Sequence, residues 1–346
     1  MKRTYLLMTI GFWIGVSLIL TSCTDPQKSN SKSQEDTPAI AASVRFPIPV
    51  VDGAFAPFYI ARDSGFFKKY GLDISINYGS KQEPPVTMVV QGRDEIGVLG
   101  GPELIMTARE KGAQIQAFAL LHKNSNFACL ITKDKEPPVK LEDLEGKDVG
   151  FFYGHISTDV IRALLKQQNI TVNEVNVGFD YSQFIGDQMI AQWAFTTTAG
   201  INLPAQGVDI DIISPADYGI VSHGHTFFTS EKIIDEQPEL VERFTEAMIE
   251  ATQYVLDNRA AAVASTLGEA KSRNANLSEA VVMKQLDVYD TVIKNNQSLL
   301  WLDQDLMVET KERLVTLGLL SDSFNIEQSI SPQFVQSFYA NESGQD

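Results

Sequence analysis

The sequence predicts an α/β protein of two lobes with a helical C-terminal part, and three observations carry that expectation. Short apolar strands alternate with helical segments from Val44 to Ile213. After about Ile233 the strands stop and amphipathic helices take over. A chain of 346 residues also suggests two compact units, at roughly 100–200 residues per domain.

In chain order, strands are expected at Val44–Val51, Leu72–Tyr78, Ile96–Leu99, Ile115–Leu121, Phe127–Thr132, Asp148–Phe152, Val175–Val177 and Ile210–Ile213. Helices fit between several of them. Thr158–Gln168, for example, sets Val160, Ile161, Leu164 and Leu165 on one face. Such βαβ alternation predicts parallel sheets. Beyond Ile233, Glu239–Asp257 places Leu240, Phe244, Ala247, Ala251 and Val255 on one stripe, and Leu286, Tyr289 and Ile293 repeat that spacing. Asp303 is positioned to N-cap a third helix that ends before Gly318. This order suits one lobe begun by residues 43–130, a second lobe inserted as 131–217, and a helical return to the first as 218–346. No repeat of fixed period is visible.

Composition removes several function classes. The 28 Lys+Arg against 44 Asp+Glu give a formal charge of −16, and so acidic a surface repels a nucleic-acid backbone. Two cysteines, Cys23 and Cys129, cannot build a disulfide scaffold, and four histidines without a cysteine cluster leave little for a structural zinc site.

The first segment reads as an address. Lys2 and Arg3 precede a mostly apolar run, Tyr5–Leu20, that falls short of the roughly 20 residues of a membrane span. The run ends in Leu20-Thr21-Ser22-Cys23, which resembles the lipobox of bacterial lipoproteins. That resemblance implies a signal peptide over 1–22, an acylated Cys23 and a body held at the cell envelope. Residues 23–42 are Ser-, Lys-, Gln- and Pro-rich and are expected to form a flexible tether.

In the body, Asp52-Gly-Ala-Phe-Ala-Pro-Phe-Tyr-Ile-Ala61 is followed by Gly65-Phe-Phe-Lys-Lys-Tyr-Gly-Leu-Asp73, Gly79-Ser80 and Gly92-Arg-Asp-Glu-Ile-Gly97. Arg109-Glu-Lys-Gly112, Leu141-Glu-Asp-Leu-Glu-Gly-Lys147 and Gln237-Pro-Glu-Leu-Val241 come after them. In this order and spacing the fragments resemble the solute-binding proteins of ABC importers, in the group that takes up thiamine pyrimidine precursors, riboflavin, sulfonates and nitrate. The resemblance implies a two-lobed periplasmic-binding-protein fold of type II, with crossovers near Phe127–Thr132 and Ile213–Ile220 and a ligand in the cleft. It further implies permease and ATPase partners, a monomeric chain and no cofactor.

Ligands of open α/β sheets bind beyond the carboxyl ends of strands, which places Asp52, Phe55 and Tyr59 well. Asp52 reads equally as a helix cap, and Glu103, beside Gly101, as a capping carboxylate or a ligand partner. Gly154, Ser157 and Thr158 match the loop that grips ligand from the other lobe in the family. Trp193, Thr196, Thr197 and Thr198 are candidates in a segment where Ile190 and Ala199 depart from the family pattern, with Trp193 as buried core the alternative. Asp217 and Tyr218 lie near the presumed hinge. His223-Gly-His225 is too sparse for a metal and is expected in an exposed loop.

Ligand class follows from charge. The candidate segments carry Asp52, Glu103, Asp159, Asp187 and Asp217 with Phe55, Tyr59, Tyr153 and Trp193, and no Arg or Lys. A sulfonate or nitrate needs cationic donors, whereas a flat neutral or weakly basic heterocycle suits rings and carboxylates. A thiamine pyrimidine precursor is the first expectation and riboflavin the second. Enzymes of pyrimidine synthesis that share the fold carry a cysteine-rich motif, and none is present here.

Overall fold

The computed structural model describes residues 39–48, 50–80, 82–123, 128–153, 157–178, 180–221, 223–294 and 298–343. Cys23, the signal peptide and the 23–38 part of the tether lie outside the described residues, as does Gly154.

Ten strands are present among the described residues: β1 (Ile40–Phe46), β2 (Leu72–Tyr78), β3 (Ile96–Leu99), β4 (Ile115–Leu120), β5 (Ala128–Lys133), β6 (Asp148–Phe151), β7 (Asn173–Asn176), β8 (Ala191–Phe195), β9 (Ile210–Ile213) and β10 (Thr226–Ser230). They form two five-stranded sheets, ordered β2-β1-β3-β10-β4 and β7-β6-β8-β5-β9. The chain leaves the first sheet after Leu120, builds the whole second sheet, and returns between Ile213 and Thr226. The returning strand β10 and the entering strand β5 each take the fourth place in their sheet and run against both neighbours: β10 is antiparallel to β3 and β4, and β5 to β8 and β9. The sheets are therefore mixed, where simple βαβ alternation predicts parallel ones, because each sheet accepts one strand from a chain passing in the opposite sense.

Two further corrections concern strand placement. The first strand lies at Ile40–Phe46 and not at Val44–Val51, with Ile40–Ala42 paired to Leu72–Ile74. It stops before Pro47, which has no N–H for a ladder. The expected tether therefore overlaps the strand by three residues. β8 and β10 carry no clear period-2 alternation, since both faces of each are covered, and the sequence pattern alone misses them.

A cluster of rings holds the first sheet to its helices. Phe46 stacks on Phe55 at 4.1 Å, and Phe58 meets Phe227 edge-on at 5.2 Å. Such pairs contribute about 0.5–1.5 kcal/mol each beyond area burial. The helix Pro238–Asp257 adds Leu240, Phe244, Ala247, Ala251 and Val255 to the same core, all buried. Proline opens that helix where its missing N–H costs nothing. The helix Gln304–Thr316 starts as expected at Asp303, whose Oδ1 accepts from the Leu306 N–H. The second sheet has its own core of Leu130, Val149, Phe151, Ile161, Leu164 and Trp193.

Candidate ligand-binding site

A cavity of about 310 Å³ is lined by residues of both sheets. Four groups come from strand ends and the turns after them. Asp52 lies six residues beyond β1. Leu99 ends β3, and Gly100, Gly101 and Glu103 follow it. Ala128 opens β5, Phe195 ends β8, and Thr197 and Thr198 follow it. Ser157 and Val160 come from the helix Ser157–Gln167, and His223, Gly224 and His225 precede β10. Tyr289 enters from the helix Glu279–Lys294. Pro47, Ile48, Pro84, Pro85, Val86 and Leu104 complete a mostly apolar wall.

Asp52 adopts extended φ/ψ and caps the turn Gly53–Phe55, its Oδ1 accepting from the Ala54 N–H at 2.9 Å. Tyr289 Oη donates to Oδ1 at 3.1 Å and Gln285 Nε2 to Oδ2 at 2.9 Å. Gln285 Oε1 in turn accepts from the Gly53 N–H at 3.0 Å. Only 4% of Asp52 is exposed. Burial pushes its carboxyl pKa up, with the Ala54 and Tyr289 hydrogen bonds acting against that. Tyr289 is pushed well above the usual phenol range by burial and then by the charge of Asp52.

Three histidines stand behind or in the wall. His122 is buried, stacks on the Tyr289 ring at 4.7 Å, and shares an Nδ1–Nδ1 hydrogen bond of 3.1 Å with His225. One ring of that pair must donate and the other accept, so the neutral pair satisfies the contact. Burial lowers the pKa of His223 and of His225 to about 4, and that of His122 well below its ordinary value. The His-Gly-His segment is thus part of the cavity and not an exposed loop. No group of three or more His, Cys, Asp or Glu is placed to hold a metal among the described residues.

Glu103 sits in the first turn of the helix Pro102–Glu110, 6% exposed. Its Oε1 accepts from Arg313 Nη2 at 2.7 Å, while Arg313 Nη1 donates to the Val221 carbonyl at 2.7 Å. A Cβ at Gly101 would come within 2.3 Å of Glu103 Oε2, so glycine here leaves room for the carboxylate in its observed place.

Of the expected site residues, Asp52, Gly101, Glu103 and Ser157 meet at the cavity. Seven do not. Phe55 and Tyr59 are core, Phe55 stacked on Phe46 and the Tyr59 hydroxyl 3.0 Å from that of Tyr78. Trp193 is fully buried in the second core, edge-on to Phe195 at 5.0 Å, because inward-facing positions of β8 point into that core. Thr158 is buried within its helix and accepts from Arg162 Nη1. Thr196 lies between lining residues without lining the cavity itself. Asp217 is exposed on the turn Pro215–Tyr218, and Tyr218 packs against the second core. Of the other expected carboxylates, Asp159 pairs with Arg162 and Asp187 lies 3.9 Å from Lys133.

Thr197 and Thr198, expected with Thr196 as lining residues, do line the cavity; sequence reasoning missed Phe195 and the pair Gln285 and Tyr289. The last two share the buried face of a helix read only as core stripe, and no local signal marks a tyrosine there as reaching a loop some 240 positions earlier.

Comparison with known proteins agrees with this architecture. The chain is 23% identical over 350 residues to the riboflavin-binding protein RibY of Chloroflexus aurantiacus, covering 95% of this chain and 97% of that one. It is 22% identical over 242 residues to the formylaminopyrimidine-binding protein of Halalkalibacterium halodurans, covering 66% and 71%. The periplasmic aliphatic sulphonate-binding protein SsuA of Escherichia coli superposes with a TM-score of 0.67 at 13% identity, over 84% of this chain and 92% of that one. A desulfurization enzyme has the same fold (TM-score 0.60, 16% identity, 87% and 99% covered), so fold alone assigns no activity. The fold is that of periplasmic binding proteins, α/β with a helical C-terminal part. Residues 52–262, more than half of the chain, match the model of the NMT1/THI5-like family, and the chain belongs to that family.

Proposed function

We propose that the protein is the solute-binding component of an ABC importer, held outside the cytoplasm by a lipid on Cys23, and that it takes a flat, neutral or weakly basic heterocycle between two lobes centred on the two sheets. The observation that carries the ligand class is the wall itself: Asp52 and Glu103 line it, and no Lys or Arg does among the described residues. A sulfonate or nitrate buried there would lack cationic donors. The mostly apolar surface, with hydroxyls of Ser157, Thr197, Thr198 and Tyr289 spaced around it, supports a ring system that has an apolar flank and a polar edge.

That pattern, with a riboflavin-binding relative matched over 95% of this chain, favours a flavin. A thiamine pyrimidine precursor is the second reading, favoured by a volume near the lower end of the range for ligand pockets. Binding without turnover is the expected activity. The one cysteine of the body, Cys129, is buried in β5 with its thiol pushed up to about 12 by burial, which leaves it a poor nucleophile.

Titration with riboflavin, followed by quenching of its fluorescence, and calorimetry with an aminopyrimidine, taurine and nitrate test the reading. One-to-one binding of a heterocycle, recovered unchanged, is expected. Tight binding of taurine or nitrate with no heterocycle bound would overturn it.

A further inference from the structure

We infer that Glu103, and not Asp52, is the carboxylate that reads the ligand, by accepting a hydrogen bond from a ring or amino N–H, and that Arg313 is the residue that positions it. The inference rests on the heterocycle reading above and names the edge such a ligand presents.

The two carboxylates of the wall differ in what the protein already gives them. A carboxylate has about four acceptor sites. Asp52 uses three of them on Ala54, Gln285 and Tyr289. Its role is to fix the turn Gly53–Phe55 to the helix Glu279–Lys294. Glu103 has one protein donor, Arg313 on Oε1, and no hydrogen bond from a described residue reaches Oε2. Its side chain is nonetheless 93% buried and lines the cavity. Oε2 keeps some accessible surface, and because Glu103 lines the cavity a ligand N–H can use it as a charge-assisted acceptor. Gly101 supports the same assignment: any side chain at this position would occupy the place of Oε2.

Arg313 does not line the ligand cavity. It lines a separate groove with Lys166, Gln167 and Thr316, and spans from Glu103 to the carbonyl of Val221 on the returning chain. Among the described residues its one hydrogen bond to a lining side chain is the one to Glu103. Because a carboxylate accepts and never donates, the ligand edge facing Gly101 and Glu103 must carry a proton. The imide N–H of an isoalloxazine or the amino group of an aminopyrimidine meets that demand, and an N-alkylated edge does not.

The test measures riboflavin and its N3-methyl derivative on wild type, Glu103→Gln, Arg313→Met and the double variant. Losing a hydrogen bond to a charged acceptor should weaken riboflavin binding by roughly tenfold to a hundredfold in Glu103→Gln. N3-methylation should weaken wild type by a similar factor and Glu103→Gln by far less. Arg313→Met should weaken wild type but add nothing in the Glu103→Gln background, whereas a merely structural arginine would add its effect in both. Wild-type affinity in Glu103→Gln, or an equal methylation penalty in both proteins, overturns the inference. The methylated ligand probes the contact on unaltered protein, so the outcome does not depend on every variant folding. If 4-amino-5-hydroxymethyl-2-methylpyrimidine binds and riboflavin does not, the same cycle is run with it and its deamino analogue. If neither heterocycle binds wild type while taurine does, the heterocycle reading fails and the inference with it.

Discussion

Lowering the pH from 7 to 4 should remove several kcal/mol of stability through three histidines, His122 and His223 buried and His225 partly so. His223 is held at about 4 by burial, with Arg313 and Lys123 acting in the same sense and Asp303 against them. His225 is held at about 4 by burial, and His122 well below its ordinary value by burial and then by His225. A base held down in the folded state binds its proton more weakly there than when unfolded. Its contribution is therefore fully present above the unfolded value and is lost as the pH falls toward the folded one. For His223 the interval from an ordinary value near 6.5 corresponds to about 3 kcal/mol. His122 and His225 share one Nδ1–Nδ1 contact and count once, for roughly another 3 kcal/mol. Asp52 has the opposite sign. Its raised carboxyl makes the folded state the better proton binder, so its cost fades on acidification and offsets part of the loss. A net loss of about 3–6 kcal/mol is a large share of a typical total of 5–15. Urea unfolding of wild type and His223→Gln at intervals between pH 7 and 4 is the assay. The variant, which cannot be charged, should show a slope flatter by about half. Stabilities equal within about 1 kcal/mol at both ends, or parallel slopes in the two proteins, would refute the reasoning.

Trp193→Ala should cost about 3–5 kcal/mol of stability by opening a void in the second core, while calorimetry on the folded fraction finds ligand affinity within a few-fold of wild type. Gly101→Ala should lower riboflavin affinity by about tenfold or more with the fold retained by circular dichroism, since the new methyl group displaces Glu103 Oε2. Tyr289→Phe keeps the ring on His122 but removes a donor to Asp52, and should lower stability by about 1–3 kcal/mol, read from the urea midpoint. Mass spectrometry of protein made in a bacterium should find residues 1–22 missing and a lipid on Cys23; an intact Met1 would count against the anchor.

The fold was legible where burial imposes a pattern that local sequence carries. β2, β3 and β9 start and stop at the expected residues, and the stripe on Pro238–Asp257 is buried throughout. β8 and β10 escaped notice because strands covered on both faces lose alternation. At the site, loop positions after strands were readable for Asp52, Gly101, Glu103 and Ser157, because turn glycines and helix starts mark them. Which side of the backbone an aromatic faces is decided by tertiary packing. Phe55 and Tyr59 follow the lining residue Asp52 in the turn and helix after it, Trp193 stands two positions before the lining Phe195, and all three point into cores instead. Tyr289 reaches Asp52 across 237 positions of chain, a contact that no local rule encodes.

The place of β10 in its sheet fixes an order of events during synthesis. β3 and β4 are complete by residue 120, yet they never touch as partners, since Thr226–Ser230 fills the space between them and pairs with both. Until residue 230 has emerged, two strand edges with free N–H and C=O groups face each other across a gap one strand wide. The stretch 128–213 supplies a whole sheet in the interval and can close its ladders first. A product truncated before Thr226 would hold one finished sheet and one split sheet, with Phe118 and Val98 uncovered beside the open edges. Such a fragment should self-associate through strand addition, whereas a chain cut soon after Ser230 should not do so by this route.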